Sequence, residues 1–160
     1  MGIYKDLEYE FIERSLALIR QYEGIYPQFD FKEQYNYTLL INCLLGLIVM
    51  PKEKIITYVP TTQLTKEVKS EIGLTESWIN KDIKTLRDLI IKLRHSVAHF
   101  DIRVESHNER ELIDEIIFKD KQNNTSYDIV KFKSNELLPF IYYYSNCLLQ
   151  NMGKNRQKNT

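Results

Sequence analysis

The stretch LLINCLLGLIVM, residues 39–50, is the longest apolar run in the chain, and the rest of the fold has to accommodate it. It is far shorter than the ~20 residues needed to span a bilayer, so we expect a helix buried in protein. Because it is apolar on almost every side and is followed by Pro51, this helix should lie at the centre of the fold. Asn42 interrupts the run and is costly to bury without a partner, which makes it either a satisfied core amide or a supporting residue of a polar site.

The composition is that of one soluble domain rich in helices. The 160 residues are 43% hydrophobic and 28% charged, and only 5 glycines and 4 prolines are present, which argues against a turn-rich sandwich or barrel. The 22 basic and 22 acidic side chains give zero net charge, so a nucleic-acid partner has to be held by a local patch. Cys43 and Cys147 lie in apolar segments and are expected to be reduced thiols. With no signal segment visible, we expect a cytoplasmic protein without a membrane partner.

Further helices are predicted on both sides of the central one. Residues 4–23 carry an apolar stripe at helical spacing, and DFKE at 30–33 has the pattern of a capping box that would open the central helix. A short helix is expected near 64–71. From Trp78 to Ala98 the apolar residues are spaced alternately four and three apart, which predicts one long helix, and Ser134 is expected to cap a last one.

The character of the sequence changes after residue 101. The segments IRVES (102–106), LIDEIIFKD (112–120) and YDIVKF (127–132) are rich in β-forming residues and partly alternating, and KQNNTS (121–126) has the composition of a hairpin turn. These patterns predict a small antiparallel sheet of two or three strands.

Together these elements predict a mainly α fold. We expect a bundle of four to five helices with a small antiparallel β-insertion at about 102–132, placed before the last long helix. The domain should cover residues 1–152, and the polar, mildly basic segment 153–160 should be a disordered tail.

The most unusual stretch is IIKLRHSVAHFD, residues 90–101, which contains two of the three histidines of the chain beside Arg94. His95 and His99 are four residues apart, so on a helix they share a face and could chelate a metal. His107, however, lies in a predicted strand region, no cysteine is near, and the arginine would repel a cation. We therefore expect no metal and no cofactor at this cluster.

Two other interpretations of the cluster are open. Cationic side chains near a helix C-terminus are favoured by the helix dipole, by roughly 0.3–1 kcal/mol each, so the cluster fits an ordinary solvated helix end. It also fits RNA cleavage without a metal, which needs a base for the 2′-OH proton, an acid for the leaving 5′-oxygen and a cation for the phosphorane. Histidine, with an unperturbed pKa of ~6.5, suits the proton transfers, and the planar arginine fork suits the phosphate.

Helix geometry limits how the two key side chains can cooperate. Arg94 and His99 are five positions apart, or about 140° around an ideal helix, so they point in different directions. Either the helix unwinds at VAHF, residues 97–100, or the working pocket draws on more than one chain.

Basic residues earlier in the same predicted helix are candidate RNA contacts. Lys84, Arg87 and Arg94 fall on one stripe that could follow a nucleic-acid backbone, and Lys92 lies on the adjacent face. Asp88 lies among them, so a salt-bridged exterior explains the same charges.

RHSVAH, from Arg94 to His99, resembles the signature of the HEPN superfamily, in which an arginine, often followed by a polar residue, precedes a histidine at this spacing. The central segment YTLLINCLLGLIVMPKEK (37–54) and a β-insertion before the last helix resemble a prokaryotic HEPN nuclease branch from plasmid and defence contexts. The resemblance covers about residues 30–150.

The resemblance implies a helical bundle that dimerises and brings two Arg/His pairs into one cleft. It implies metal-independent endoribonuclease activity in toxin–antitoxin, abortive-infection or other antiviral systems, with RNA as substrate and an antitoxin or defence-system protein as partner. Carried over to this chain, Arg94 is the phosphate clamp, His99 the general acid/base, and His95 the polar residue after the arginine. Some members of the superfamily only bind RNA or nucleotides, or serve as oligomerising partners, which is the alternative.

One position departs from the family pattern. A toxin branch has a tyrosine two residues after the histidine, where its partner nucleotidyltransferase modifies it, whereas this chain has Asp101. This argues against regulation by that route. Asp101 is instead expected to polarise a histidine or to close the turn after the helix.

Overall fold

The computed structural model describes residues 3–50, 56–57, 59–107, 112–122 and 124–158, with residues 154–158 described by their backbone alone. Its α-helices are α1 (Leu7–Ile25), α2 (Asn36–Val49), α3 (Lys66–Glu71), α4 (Leu86–Ala98) and α5 (Ser134–Lys158). Its strands are β1 (Trp78–Ile79), β2 (Ile102–Glu105), β3 (Glu115–Gln122) and β4 (Thr125–Lys133). Two single turns of 3₁₀ helix, Tyr26–Gln28 and Phe31–Glu33, join α1 to α2.

The fold is α+β, so the expectation of a mainly α bundle with a small β-insertion at about 102–132 is wrong. The strands form one antiparallel sheet of four in the order β1-β4-β3-β2, which is more than a small insertion. The edge strand β1 precedes α4 in the chain, so the sheet is not confined to an insertion. Helices α4 and α5 both pack on this sheet, which makes it a structural layer of the fold.

The predicted helix from Trp78 to Ala98 is a strand followed by a shorter helix. Trp78 and Ile79 pair with Lys131 and Val130 of β4. Helix α4 starts only after Thr85, because the Thr85 hydroxyl accepts the N–H of Asp88 and the Asp88 carboxylate accepts the N–H of Thr85, both at 3.1 Å. This reciprocal capping box fixes the helix start.

The central helix is confirmed. Helix α2 contacts α1, α4 and α5, and three of its side chains are completely buried: Leu44, Leu47 and Ile48. The burial expected for Asn42 is wrong, since this residue lies on the exposed side of α2. The expected stop, Pro51, lies outside the described residues, and α2 ends at Val49.

The predicted capping box at 30–33 does not open α2. The Asp30 side chain makes no capping hydrogen bond, and the segment that follows it is the 3₁₀ turn Phe31–Glu33. Helix α2 begins several residues later, after Tyr35. The short helix α3, the strands β2 to β4 and the hairpin between β3 and β4 lie where the sequence predicted them.

A row of aromatic rings joins the sheet to the last helix. Phe118 of β3 meets Phe132 of β4 edge to face at 5.7 Å between ring centroids, and Phe132 lies 5.1 Å from Phe140 of α5. Phe140 stacks on Tyr144 at 6.2 Å. All four are completely buried. Among the described residues, no helix combines the length and hydropathy that a membrane crossing requires.

Candidate functional site

Arg94 links two helices at the edge of a cleft. Its guanidinium Nη1 donates a hydrogen bond of 3.1 Å to the backbone carbonyl of Ile48, in the last turn of α2. Helix C-termini carry partial negative charge and unsatisfied carbonyls, so a guanidinium is stabilised in this place. The side chain is half-buried, which limits its motion while leaving it accessible from the cleft.

The cleft beside α4 has a volume of about 310 Å³. Its lining comprises Ile56, Thr57, Arg87, Ile91, Arg94 and His95. Two guanidinium groups and an imidazole thus border an apolar floor. This combination suits an anion such as phosphate, because guanidinium donates parallel hydrogen bonds to phosphate oxygens.

Arg87 forms the wall of this cleft by holding a loop. Its Nε donates to the carbonyl of Val59 at 3.0 Å, and its Nη2 donates to the carbonyl of Thr57 at 2.7 Å. Much of its hydrogen-bonding capacity is therefore used within the chain. Its charge still acts on the cleft, and a contact with RNA remains a prediction.

His99 is the C-cap residue of α4, and it is not among the described residues that line the Arg94 cleft. Its backbone N–H donates to the carbonyl of His95 at 3.1 Å, so the helix is intact up to Ala98. The helix therefore ends within residues 97–100, where unwinding is one of the two expected routes, but this ending does not place His99 among the described residues that line the cleft with Arg94. Within one chain the cleft combines Arg94 with His95 instead, and His99 is exposed beyond it.

The turn after His99 has the geometry of a Schellman cap. The N–H of Phe100 donates to the carbonyl of Val97 at 3.1 Å, and the N–H of Asp101 donates to the carbonyl of Ser96 at 2.9 Å. Phe100 has φ 51°, a left-handed conformation that glycine usually provides, and its side chain is 79% exposed. The structure thus holds a strained, exposed aromatic residue directly after His99.

Ser96 attaches this helix end to the sheet and was not singled out from the sequence. Its fully buried hydroxyl donates to the carbonyl of Asp101 at 3.0 Å and accepts the N–H of Lys119 at 3.2 Å. The signal in the sequence is a small polar residue on the buried side of a helix, between Leu93 and Val97. Ser96 therefore fixes where α4 ends relative to β3, and with it the position of His99.

Asp101 closes the turn rather than contacting a histidine. One of its carboxylate oxygens lies 3.7 Å from the ammonium of Lys121 on β3, and its backbone carbonyl accepts a hydrogen bond from Lys119 at 2.9 Å. Among the described residues, Asp101 contacts side chains and backbone groups of β3 and α4, and none of these contacts is with an imidazole. A role in polarising a histidine remains a prediction without a contact to support it.

Lys92 lies on the sheet side of α4, away from the cleft lining. Its ammonium donates to Asp120 at 3.0 Å and to the Tyr127 hydroxyl at 2.9 Å, and that hydroxyl also donates to Asp120 at 2.9 Å. Hydrogen bonds with Tyr127 and Asp120 raise the pKa of Lys92. Burial alone would raise the pKa of Asp120, but the hydrogen bond from Lys92 and the others lower it overall.

The remaining candidates do not meet at the cleft either. The Lys84 ammonium donates to the carbonyl of Lys81 at 2.6 Å and borders a different groove, of about 300 Å³, together with Lys69. Asn42 is exposed on α2 and is not among the residues described as lining the Arg94 cleft. The proposed RNA-binding residues are thus dispersed over the surface of one chain, and only Arg87 accompanies Arg94.

Tyr144 is a second residue that the sequence did not single out for the site. It is completely buried, and its hydroxyl has no hydrogen-bond partner within the described part of the chain. Burial raises its pKa, and the positive charge of Arg94 opposes part of that effect. The cation of Arg94 thus acts electrostatically on the Tyr144 hydroxyl.

A family model described as HEPN pEK499 p136 matches residues 1–155. The chain therefore belongs to this HEPN family, as the resemblance of its Arg94–His99 segment predicted. HEPN domains are often ribonucleases, and they often dimerise and bind RNA. Neither a curated protein nor a solved structure matches the chain.

Proposed function

We propose that this HEPN protein is a metal-independent endoribonuclease whose active cleft is completed by a second copy of the chain. Arg94 binds the scissile phosphate and His99 transfers protons, with His95 supporting them from the cleft lining. The observation that carries the proposal is that, among the residues the structure describes, Arg94 lines a cleft while His99 is exposed just beyond it at the same helix end. A two-fold axis beside α4 provides what one chain lacks, because each copy presents the same groups to the other.

The exposed side of α4 supports this pairing. Ile91, His95, Ala98 and His99 are exposed along it, spaced so that they share one face of the helix. Ile91 is 37% exposed and the neighbouring Phe100 is 79% exposed, so the surface is partly apolar. Apolar contacts of this kind stabilise a dimer once a partner removes them from water.

The chemistry needs only groups that two copies provide. A neutral His99 imidazole takes the proton of the ribose 2′-OH, whose oxygen attacks the phosphorus, and the same imidazole, now protonated, gives that proton to the departing 5′-oxygen. The products are a 2′,3′-cyclic phosphate and a 5′-hydroxyl. The Arg94 guanidinium, which is held in place by its bond to the Ile48 carbonyl, binds the phosphate oxygens as negative charge grows.

The direct test is RNA cleavage by the purified chain in excess chelator. We expect cleavage to persist there and to fall by at least ~100-fold in Arg94→Ala and in His99→Ala, the usual scale for losing a positioned acid/base group. Arg20→Ala, which removes an exposed arginine of α1, is the matched control and should keep full activity. Dependence on an added divalent ion, or activity unchanged in both site variants, would contradict the proposal.

The cleft also supports a second candidate, an RNA- or nucleotide-binding module without catalysis. Arg87, Arg94 and His95 line one pocket that suits a phosphate whether or not His99 acts. Under this alternative His99→Ala leaves RNA affinity unchanged, whereas Arg94→Ala weakens it and flattens its salt dependence. Measuring both affinity and cleavage for the same two variants separates the candidates.

We further propose that the nuclease is a toxin or anti-phage defence component that acts on cytoplasmic RNA and is restrained by an antitoxin or another defence-system protein. The support is the resemblance to plasmid- and defence-associated HEPN nucleases. Expression of the chain should slow the growth of host cells, and expression of His99→Ala at the same level should not. Equal growth in the two cultures would contradict this role.

A further inference from the structure

A second cluster of titratable side chains lies where β2 meets β3, at the end of β2 distant from His99. One nitrogen of His107 and one carboxylate oxygen each from Glu105 and Glu115 all lie within 4.8 Å of one another. Glu105 and Glu115 are direct partners across the two strands. Carboxylates in directly opposed positions repel each other, so a cation between them would stabilise this end of the sheet.

The contact between His107 and Glu105 has the length of an edge between two metal ligands. The Nε2 atom of His107 lies 3.4 Å from the Oε2 atom of Glu105. This exceeds the usual 2.7–3.2 Å of an N–H···O hydrogen bond. Two donors that each bind Zn²⁺ at ~2.0–2.1 Å in a tetrahedron are about 3.3–3.4 Å apart. The separation of these two side chains therefore allows both of them to bind one ion.

Both carboxylates of the cluster also contact a cationic neighbour. The Lys133 ammonium binds Oε1 of Glu115 at 2.7 Å, and the Arg103 guanidinium lies 3.5 Å from Oε1 of Glu105. The oxygen of Glu105 that faces His107 is its other one, Oε2. A group that contacts the other oxygen of a ligating carboxylate, as Arg103 does at Glu105, orients that carboxylate toward a metal.

The backbone fixes the histidine in this position. The N–H of His107 donates to the Asp114 carboxylate at 2.5 Å, and the N–H of Asp114 donates to the carbonyl of Glu105 at 2.9 Å. Asp114 and Glu76 both act electrostatically on Lys133, so four carboxylates surround two cationic side chains here. The surplus of negative charge favours a divalent cation over an anion.

We propose that Glu105, His107 and Glu115 form a binding site for a divalent transition-metal ion of the zinc class, which fastens the end of β2 to β3. One imidazole nitrogen with carboxylate oxygens suits zinc, nickel or copper, whereas magnesium and calcium prefer oxygen ligands alone. Three protein ligands leave a coordination position for water. The site lies apart from the Arg94 cleft, so this inference goes beyond the proposed ribonuclease activity.

The test is titration of the chelator-stripped full chain with zinc chloride, followed by calorimetry. We expect one equivalent to bind, and affinity to fall by at least about tenfold in His107→Ala and in Glu115→Gln. The double variant His95→Ala/His99→Ala removes the other histidine pair and should bind zinc like the parent. Absence of one-equivalent binding, or its loss in the double variant with retention in His107→Ala, would overturn the proposal.

A measurement of thermal stability tests the metal site independently of the ribonuclease activity. Zinc should raise the melting temperature of the parent chain and leave that of His107→Ala unchanged. An equal shift in both would overturn the assignment of ligands. Cleavage of RNA is measured separately in chelator, where this site is empty, so failure of either proposal leaves the other standing.

Discussion

Gly73 and Phe100 occupy equivalent positions after two helices, and only the glycine suits its backbone. Each follows a C-cap with paired Schellman hydrogen bonds: the N–H of Gly73 donates to Ser70 at 3.1 Å, and that of Phe100 donates to Val97 at 3.1 Å. Their φ angles are +78° and +51°. A side chain in this region is strained, so the two positions should respond oppositely to substitution.

Gly73→Ala is expected to destabilise the protein by at least about 1 kcal/mol. A Cβ added at Gly73 would lie 2.6 Å from Cβ of Pro139, a contact that α5 cannot relieve without moving. Gly24→Ala is the matched control, because a Cβ at Gly24 meets nothing within 4 Å and the residue lies in α1. Urea denaturation measures both. Equal effects of the two substitutions would contradict the packing described here.

In the single chain, at protein concentrations too low for dimers, Phe100→Gly is expected to raise the free energy of unfolding by up to about 1 kcal/mol, because it removes the left-handed strain and a side chain that is 79% exposed there. Val104→Gly is the comparison, since Val104 is also exposed but lies in β2, where glycine weakens a strand. We expect opposite signs for the two in urea denaturation. A loss of stability in Phe100→Gly would contradict the exposure of this ring in the single chain, because it would mean that the ring makes stabilising contacts.

At the scale of elements, the Lys92–Asp120–Tyr127 network joins α4 to the sheet. Asp120→Asn should lower the free energy of unfolding by about 1–2 kcal/mol, because it weakens the hydrogen bonds of a buried carboxylate. The loss is no larger because the Lys92 side chain is partly exposed, and water screens its charge. The pKa of Asp120 is lower in the folded chain than its usual value of 3.8. The unfolded chain therefore binds the proton first as pH falls.

The lowered pKa of Asp120 determines how the stability difference between the parent and Asp120→Asn depends on pH. The advantage of the parent over Asp120→Asn should be fully present above about pH 5 and lost as pH falls through the lowered pKa of Asp120 in the folded chain. Denaturation in urea between pH 7 and pH 3 measures it. An advantage that grew toward pH 3 would show that the carboxylate of Asp120 is not held in its charged form by Lys92 and Tyr127.

The sequence predicted most elements because their signals are local. The apolar run at 39–50 and the hairpin residues at 121–126 need no distant partner to be recognised. The start of α4 was missed because Ile79 and Ile83 continue its apolar spacing although they serve the sheet and the turn before it. The spacing of apolar side chains indicates which residues are buried, but it does not indicate whether they lie in a helix or in a strand.

The residues of the candidate site could be predicted from the sequence, but their arrangement in space could not. Arg94, His95 and His99 are scarce residue types in a short stretch, so they are visible in the sequence. Which imidazole shares the cleft with Arg94 depends on the packing of the chain around residues 56–57. The pairing of Glu105 with Glu115 likewise depends on strand register, which local sequence does not contain.

In the whole molecule, the proposed ribonuclease requires two copies of the chain. One chain places Arg94 in a cleft and His99 outside it, and the exposed face of α4 lies between them. A dimer formed on this face would bring the His99 of one copy toward the Arg94 of the other. The reaction then needs one functional group from each chain.

Mixing two inactive variants tests this most directly. Arg94→Ala and His99→Ala chains, each purified, are unfolded together, refolded and assayed for RNA cleavage in chelator. The mixed dimer has one intact cleft built from the His99 of one chain and the Arg94 of the other, so we expect activity well above that of either variant alone. Activity no higher than that of the separate variants, with mixed dimers confirmed by mass, would contradict a cleft shared between two copies.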